Sequence, residues 1–307
     1  LCVSHMLVDG SSSLILFQDI LHVYALKKKT TSEHLPAAVP YQEFINWQLG
    51  SIVNGVQTRY EQYWQKTLKN YQPPQLTIEE AEPKKIPSGA REALTISHEV
   101  LGQLQALTRQ KQITLPNLLL TVYGMVLANR TERREAFITL LCGGRDKELF
   151  RTTVGNIANE LPVILKFSPG MSFIDAALYV QNHLASAMDY QYMQPEQIKE
   201  LNLATPEISF DFQHLQMHLK KTGFTLNTVT PKAEKVPLWG DNPRKLSLKL
   251  TYDGTSLNGY LKYRADYYHP NSIKILVENM YYILQQIIGN SDTSLDVFAE
   301  LSGVNYE

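Results

Sequence analysis

Ser4-His5-Met6-Leu7-Val8-Asp9-Gly10 sets an imidazole and a carboxylate four positions apart, between an apolar stretch, Leu1-Cys2-Val3, and a run of serines, Ser11 to Ser13. The apolar stretch reads as a strand already in progress and the serines as a helix N-cap. Leu14, Phe17, Leu21 and Tyr24 then recur at helical spacing as far as Lys27-Lys28-Lys29, whose charge suits a helix C-terminus. The unit is a strand, a tight turn and a helix. Histidine suits proton transfer near neutrality because its unperturbed pKa is about 6.5. A carboxylate at a helix start is placed to accept backbone hydrogen bonds or to pair with an arginine, and Gly10 permits a tight turn or a close approach to a ligand. On spacing alone, a core histidine and a turn aspartate explain the pattern better than a catalytic pair does.

Beyond that unit, a loop with Pro36 and Pro40 leads to Tyr41, Phe44, Trp47 and Gln48, then to Tyr60, Tyr63, Trp64 and Leu68, spaced for two helices with aromatic faces. Residues 71–87 hold Pro73, Pro74, Pro83 and Pro87 and follow neither the helical nor the strand period. A lobe boundary is expected there, with residues 1–83 ending one lobe and 84–307 forming the other. Ala93 to Ile96 alternates as a strand, and Ser97 caps a helix carrying Val100, Leu104 and Leu107. Thr114 starts another helix, apolar from Leu118 to Leu127 and therefore buried. Two apolar runs, Ala136 to Cys142 and Leu161 to Phe167, flank a polar loop, and Ser172 caps a helix running through Leu184. Ile208 to Phe212 and Leu246 to Tyr252 read as strands, and Asp253-Gly254 turns the second into Leu257 to Tyr263 as a hairpin. A helix from Ile273 to Ile288 ends the pattern. This mixed order predicts an α/β or α+β protein whose sheet is covered on at least one face.

Composition narrows the functional classes. The chain has 307 residues, 44% apolar and 19% charged, enough for one large or two modest domains, and its 29 basic and 30 acidic residues give a net charge of -1. That balance offers no electrostatic case for nucleic acid or an anionic membrane as partner. Cys2 and Cys142 make neither a disulfide framework nor a zinc pattern, so no metal is expected and a reducing cytoplasm fits best. No apolar run approaches the ~20 residues of a membrane span, and no signal peptide opens the sequence. Asn129-Arg130-Thr131 matches a glycosylation triplet of the kind that arises by chance. Hydrolase, NTPase and dinucleotide motifs are absent. The strand-like opening and the polar ending, Leu301 to Glu307, suggest a piece of a longer chain.

SHMLVDGSS resembles the HHxxxDG signature of condensation domains of nonribosomal peptide synthetases, which a serine-rich helix start follows. The resemblance continues in order. Tyr41-Gln42-Glu43-Phe44-Ile45-Asn46-Trp47-Gln48 is similar to YxDFAVWQ, and Tyr63-Trp64 to the YW after it. Val154-Gly155-Asn156-Ile157-Ala158-Asn159-Glu160-Leu161 resembles IGxFVNTL, while Tyr190-Gln191-Tyr192-Met193-Gln194-Pro195-Glu196 keeps only the glutamine and glutamate of HQDYPFE.

The resemblance implies a two-lobed, chloramphenicol-acetyltransferase-like sandwich, its N-terminal lobe incomplete in this chain, with a tunnel open to donor and acceptor carrier proteins. It implies amide formation between a carrier-bound acyl or peptidyl thioester and a carrier-bound amino acid amine. His5 would assist the attacking amine as a base or a positioning group. Asp9 would be structural, paired with an arginine of the N-terminal lobe outside this chain, and backbone near Gly10 would help hold an oxyanion. Ser4 and Ser11 are expected beside the substrate, and Gly155 and Asn159 on the tunnel side, where a turn and a cap explain them nearly as well. No cofactor is expected beyond the phosphopantetheine arms of the carriers, and adjacent adenylation or other synthetase domains are expected partners. Ser4 stands where the family has its first histidine, and the RDxSRNP segment has no match before Ile208. His5 with Asp9-Gly10 argues against the epimerization and heterocyclization branches.

Other features have plainer readings. His214 and His218 could share a helix face as ligands, but nothing completes a metal set, and surface histidines fit better. Lys27 to Lys29 read as solvated charge, and Trp47, Tyr63 and Trp64 as packing. Two alternatives to condensation remain: a non-catalytic platform recruiting carrier proteins or tailoring enzymes, and a stand-alone acyltransferase with a small soluble acceptor.

Overall fold

An apolar helix with no polar face must be covered on all sides, and α5 (Leu115–Ala128) meets that condition, with every residue from Leu118 to Ala128 buried. Thr114 caps it by accepting from the Asn117 N–H, and a proline occupies its first turn, where no backbone donor is lost. Around it the computed structural model describes residues 3–29, 31–32, 34–35, 37–81, 88–214 and 244–302. The remaining helices are α1 (Gly10–Lys27), α2 (Tyr41–Val53), α3 (Val56–Leu68), α4 (His98–Lys111), α6 (Phe173–Met188), α7 (Pro195–Glu200) and α8 (Pro270–Gly289). The strands are β1 (Gly89–Ile96), β2 (Glu135–Cys142), β3 (Asn159–Lys166), β4 (Ile208–His214), β5 (Leu246–Tyr252) and β6 (Leu257–Arg264).

The strands form one six-stranded sheet in the order β1-β6-β5-β4-β2-β3. β4 is parallel to both β2 and β5, and the other pairs are antiparallel, so the sheet is mixed as the element order suggested. Asp253-Gly254 makes the expected hairpin between β5 and β6. In β5 the leucines Leu246, Leu248 and Leu250 are fully buried, while Ser247, Lys249 and Thr251 between them are not. One face therefore carries apolar residues into a core with α4, α5, α6 and α8, and the other presents polar side chains.

Several local expectations need correction. Val3 is exposed and outside any strand, and Leu1 and Cys2 lie outside the described residues. The cap of α1 is Asp9, whose carboxylate accepts from the Ser12 N–H; Ser11 to Ser13 are already helical. A carboxylate is the better cap because it adds negative charge at the positive end of the helix. His214 lies on β4, stacked on Tyr252 at 5.0 Å, so it shares no helix face with His218, which is outside the described residues. The expected boundary at 83/84 also falls among residues not described. The segment before it is fastened to the sheet end: Thr77 N donates to Arg130 O and Ala81 N to Tyr267 O.

Candidate functional site

Among the described residues, the turn that carries His5 is held by short-range bonds alone. Leu7 N donates to Ser4 O at 3.0 Å and Met6 N to Ser4 Oγ at 3.3 Å. His5 is exposed, and its imidazole has no hydrogen-bond partner among the described residues. Ser4, Gly10 and Ser11 are exposed as well. A Cβ on Gly10 would meet nothing within 4 Å, so no contact among the described residues requires the glycine. The N–H groups of Gly10 and Ser11 begin α1 and have no partner among the described residues, as helix geometry dictates for a first turn.

Four residues on, the environment reverses. Asp9 is 1% exposed and its carboxylate accepts five hydrogen bonds. Oδ1 takes Ser12 N at 2.8 Å and Arg145 Nη2 at 3.0 Å; Oδ2 takes Arg145 Nη1 at 2.7 Å and the Ile157 and Ala158 N–H groups at 2.9 Å each. Burial pushes the carboxyl pKa up. The Arg145 guanidinium and the backbone donors of Ser12 and Ile157 outweigh that and hold it below the ordinary carboxylate value. The arginine therefore comes from the loop after β2, not from the N-terminal lobe.

Arg145 also donates to Ser12 Oγ at 2.8 Å and to the carbonyls of Gly143, Thr153 and Gly155. Ser12 is fully buried; its hydroxyl donates to Gly155 O at 2.7 Å and accepts from Gly155 N at 2.9 Å. One carboxylate, one guanidinium and one hydroxyl thus pin α1 to residues 143–158. Gly155 is needed for space: a Cβ there would lie 2.1 Å from Cδ2 of Tyr41, whose hydroxyl donates to Asn156 O at 3.0 Å. Asn159, 5% exposed, opens β3 and donates from Nδ2 to the carbonyls of Gln191 and Met193. The echo of HQDYPFE is thereby tied to the loop that resembles IGxFVNTL.

The structure brings Asp9, Ser12, Gly155 and, through Ala158, Asn159 together, and leaves Ser4, His5, Gly10 and Ser11 on an open edge beside them. Sequence reasoning missed Arg145 and Ser12. The available signal was chemical: a buried aspartate needs a cation, and Gly143-Gly144-Arg145 leaves a strand where such a cation can fold back. Cys142 supplies no nucleophile, since burial pushes its thiol up to about 12. Among the described residues no group of histidine, cysteine and carboxylate side chains could hold a metal, and no helix is long and apolar enough to cross a membrane.

A family model described as Condensation domain matches residues 2–303. Bacitracin synthase 3 of Bacillus licheniformis is 22% identical over 97% of this chain, and gramicidin S synthase 2 of Brevibacillus brevis is 25% identical over 61% of it. The chain spans only 5% of the first relative's length and 4% of the second's. The solved condensation domain from monacolin K polyketide synthase superposes with a TM-score of 0.75 at 16% identity, over 94% of this chain and 69% of that one. The shared architecture is the mixed α/β, chloramphenicol-acetyltransferase-like fold that the motifs implied.

Proposed function

Because the chain belongs to the condensation-domain family, we propose that it is an acyltransferase joining a carrier-bound acyl or peptidyl thioester to the amine of a carrier-bound amino acid. The observation that carries this reading is the division within one motif: Asp9 is saturated with five donors, whereas His5, four residues earlier, is exposed and unengaged. The amine nitrogen attacks the thioester carbonyl, the C–S bond breaks, and the donor arm leaves as a thiol. His5 orients the amine and takes its proton, which passes to the departing sulfur. The N–H groups of Gly10 and Ser11, at the positive end of the 18-residue α1, supply donors for the tetrahedral oxyanion. Asp9 and Arg145 hold that helix end in place. Proximity carries much of the rate: two tethered reactants held in register are worth up to about 7–11 kcal/mol of barrier, so a modest base suffices.

The partners in this reading are donor and acceptor carrier proteins presenting phosphopantetheine arms, with adenylation or other synthetase domains alongside, in the cytoplasm. Residues 1–83 close an N-terminal lobe and 84–307 form the C-terminal one. Support for the division comes from α1, where Ile20, Val23 and Tyr24 stand 50%, 44% and 48% exposed, an apolar strip suited to cover by the rest of a lobe.

The test is a single-turnover assay on the full synthetase, with a loaded donor and a loaded acceptor carrier and the condensed thioester followed by intact-protein mass spectrometry. Wild type should give product and His5→Ala should lose about 10²–10⁴ in rate. Undiminished turnover in His5→Ala would remove the role given to His5. Carrier binding without product across a broad panel would replace the enzyme with a recruiting platform.

A further inference from the structure

On the polar face of the sheet, beside the loop that grips Asp9, lies a cavity of about 520 Å³. Its floor is the strand pair β2–β3, through Thr139, Glu160 and Pro162. Pro195, Ile198 and Lys199 of α7 and residues 205–207 wall it, and Ala158, which donates its N–H to Asp9, sits at one end. Two features are unexplained by the fold. Thr139 is among the residues lining the cavity but is 2% exposed, and its buried Oγ1 has no hydrogen-bond partner among the described residues. Leaving a buried hydroxyl unpaired is costly, so such atoms are few in native proteins unless something binds them. The second feature is Glu160, which stands at the threonine position of the IGxFVNTL pattern and puts a carboxylate into the cavity. Arg244 donates to Glu160 Oε2, leaving Oε1 without a bond among the described residues. Of the charged residues lining the space, Glu160, Glu196 and Glu207 outnumber Lys199 and Arg244, so the net charge is negative.

We propose that this cavity is a specificity pocket for a substrate side chain with an aliphatic stem and a terminal ammonium group, and that Glu160 is the residue that selects it. The stem lies along Pro162, Pro195 and Ile198, and the ammonium donates to Glu160 Oε1 and Thr139 Oγ1. A charge-assisted hydrogen bond of this kind is worth about tenfold or more in affinity. The inference rests on the condensation reading for the identity of the ligand, a carrier-bound aminoacyl group, but its binding chemistry can be measured apart from turnover.

Two experiments on the full synthetase separate the two claims. In the first, Nα-acetyl-lysine methyl ester and Nα-acetyl-norleucine methyl ester, which share a stem and differ in the ammonium, are titrated calorimetrically. Wild type should bind the lysine probe about tenfold more tightly, Glu160→Gln should bring the two within about twofold, and Thr139→Val should weaken the lysine probe while leaving the protein as stable as before or more so. Equal affinity in wild type overturns the proposal, as does a lysine preference untouched by Glu160→Gln. In the second, carriers loaded with ornithine, lysine, leucine or norleucine are offered in turn on the donor and the acceptor side. Preference for the amines on one side, lost in Glu160→Gln, supports the pocket and identifies which aminoacyl group enters it. Efficient product with no such preference on either side overturns the pocket and leaves condensation standing, whereas probe selectivity without any product keeps the pocket and removes the condensation reading.

Discussion

Residues 4–7 and residues 9–12 are neighbours in sequence and opposites in physics. The first group is a solvent-exposed turn closed on itself, with an imidazole that has no hydrogen-bond partner among the described residues. The second is a buried knot in which Asp9, Ser12 and Arg145 bond to one another and to the backbone of Ser12, Gly143, Thr153, Gly155, Ile157 and Ala158. A single motif thus contains an exposed imidazole with no hydrogen bond among the described residues and, one helical turn away, a carboxylate whose lone pairs are all given to holding the frame. Motif membership therefore does not reveal which role a residue plays; burial and hydrogen-bond saturation do.

Four measurements would break or sharpen that contrast. The largest expected effect is Arg145→Met, which strands the Asp9 carboxylate in a site 1% exposed and should cost about 3–5 kcal/mol in urea unfolding. Arg145→Lys should rescue little, because one ammonium cannot replace a bidentate fork that also reaches Ser12. Next comes Gly155→Ala, which drives a methyl into the Tyr41 ring and should cost about 1–3 kcal/mol, with Tyr41→Ala partly relieving it in a double-mutant cycle. A smaller signature lies in pH. Asp9 titrates lower when folded, so the unfolded chain binds the extra proton and the contribution of the knot is complete above the unfolded value of about 3.9. It fades as pH falls from there through the folded pKa, and Asp9→Asn should flatten that part of the stability–pH curve. Smallest of all, His5→Ala should leave unfolding unchanged within the error of a urea titration while turnover collapses; a large loss of stability would place His5 in the knot instead of outside it.

Local signals in this sequence were reliable where a few neighbours decide the outcome. Ser97 and Ser172 cap their helices and Thr114 begins its own, as their positions predict, and Asp253-Gly254 turns the hairpin. The same logic failed at α1, because three successive serines imitate a cap while a stronger competitor, Asp9, stood just ahead of them. Arg145 escaped for a different reason: no period or spacing links it to a residue 136 positions away, and only the folded sheet brings them together. Gly155 was legible as a special position, and the folded chain adds a cause the sequence could not show, room for the Tyr41 ring. Thr139 reads as an ordinary strand residue, and nothing in its neighbours shows that its hydroxyl is left without a partner.

The distance along the chain between Asp9 and Arg145 has a consequence in time. Closing so long a loop has little extra thermodynamic cost, about 0.6 kcal/mol for each doubling of length, yet contacts of large sequence separation form slowly because nothing rewards them until both ends are in place. In the folded protein the second end is built from β2, β3 and the chain between them, which must fold back to reach Asp9. Helix α1 should consequently acquire its native protection late in refolding, after α5, in a pulse-labelling hydrogen-exchange experiment. The motif would then be assembled last, on a body already built to receive it.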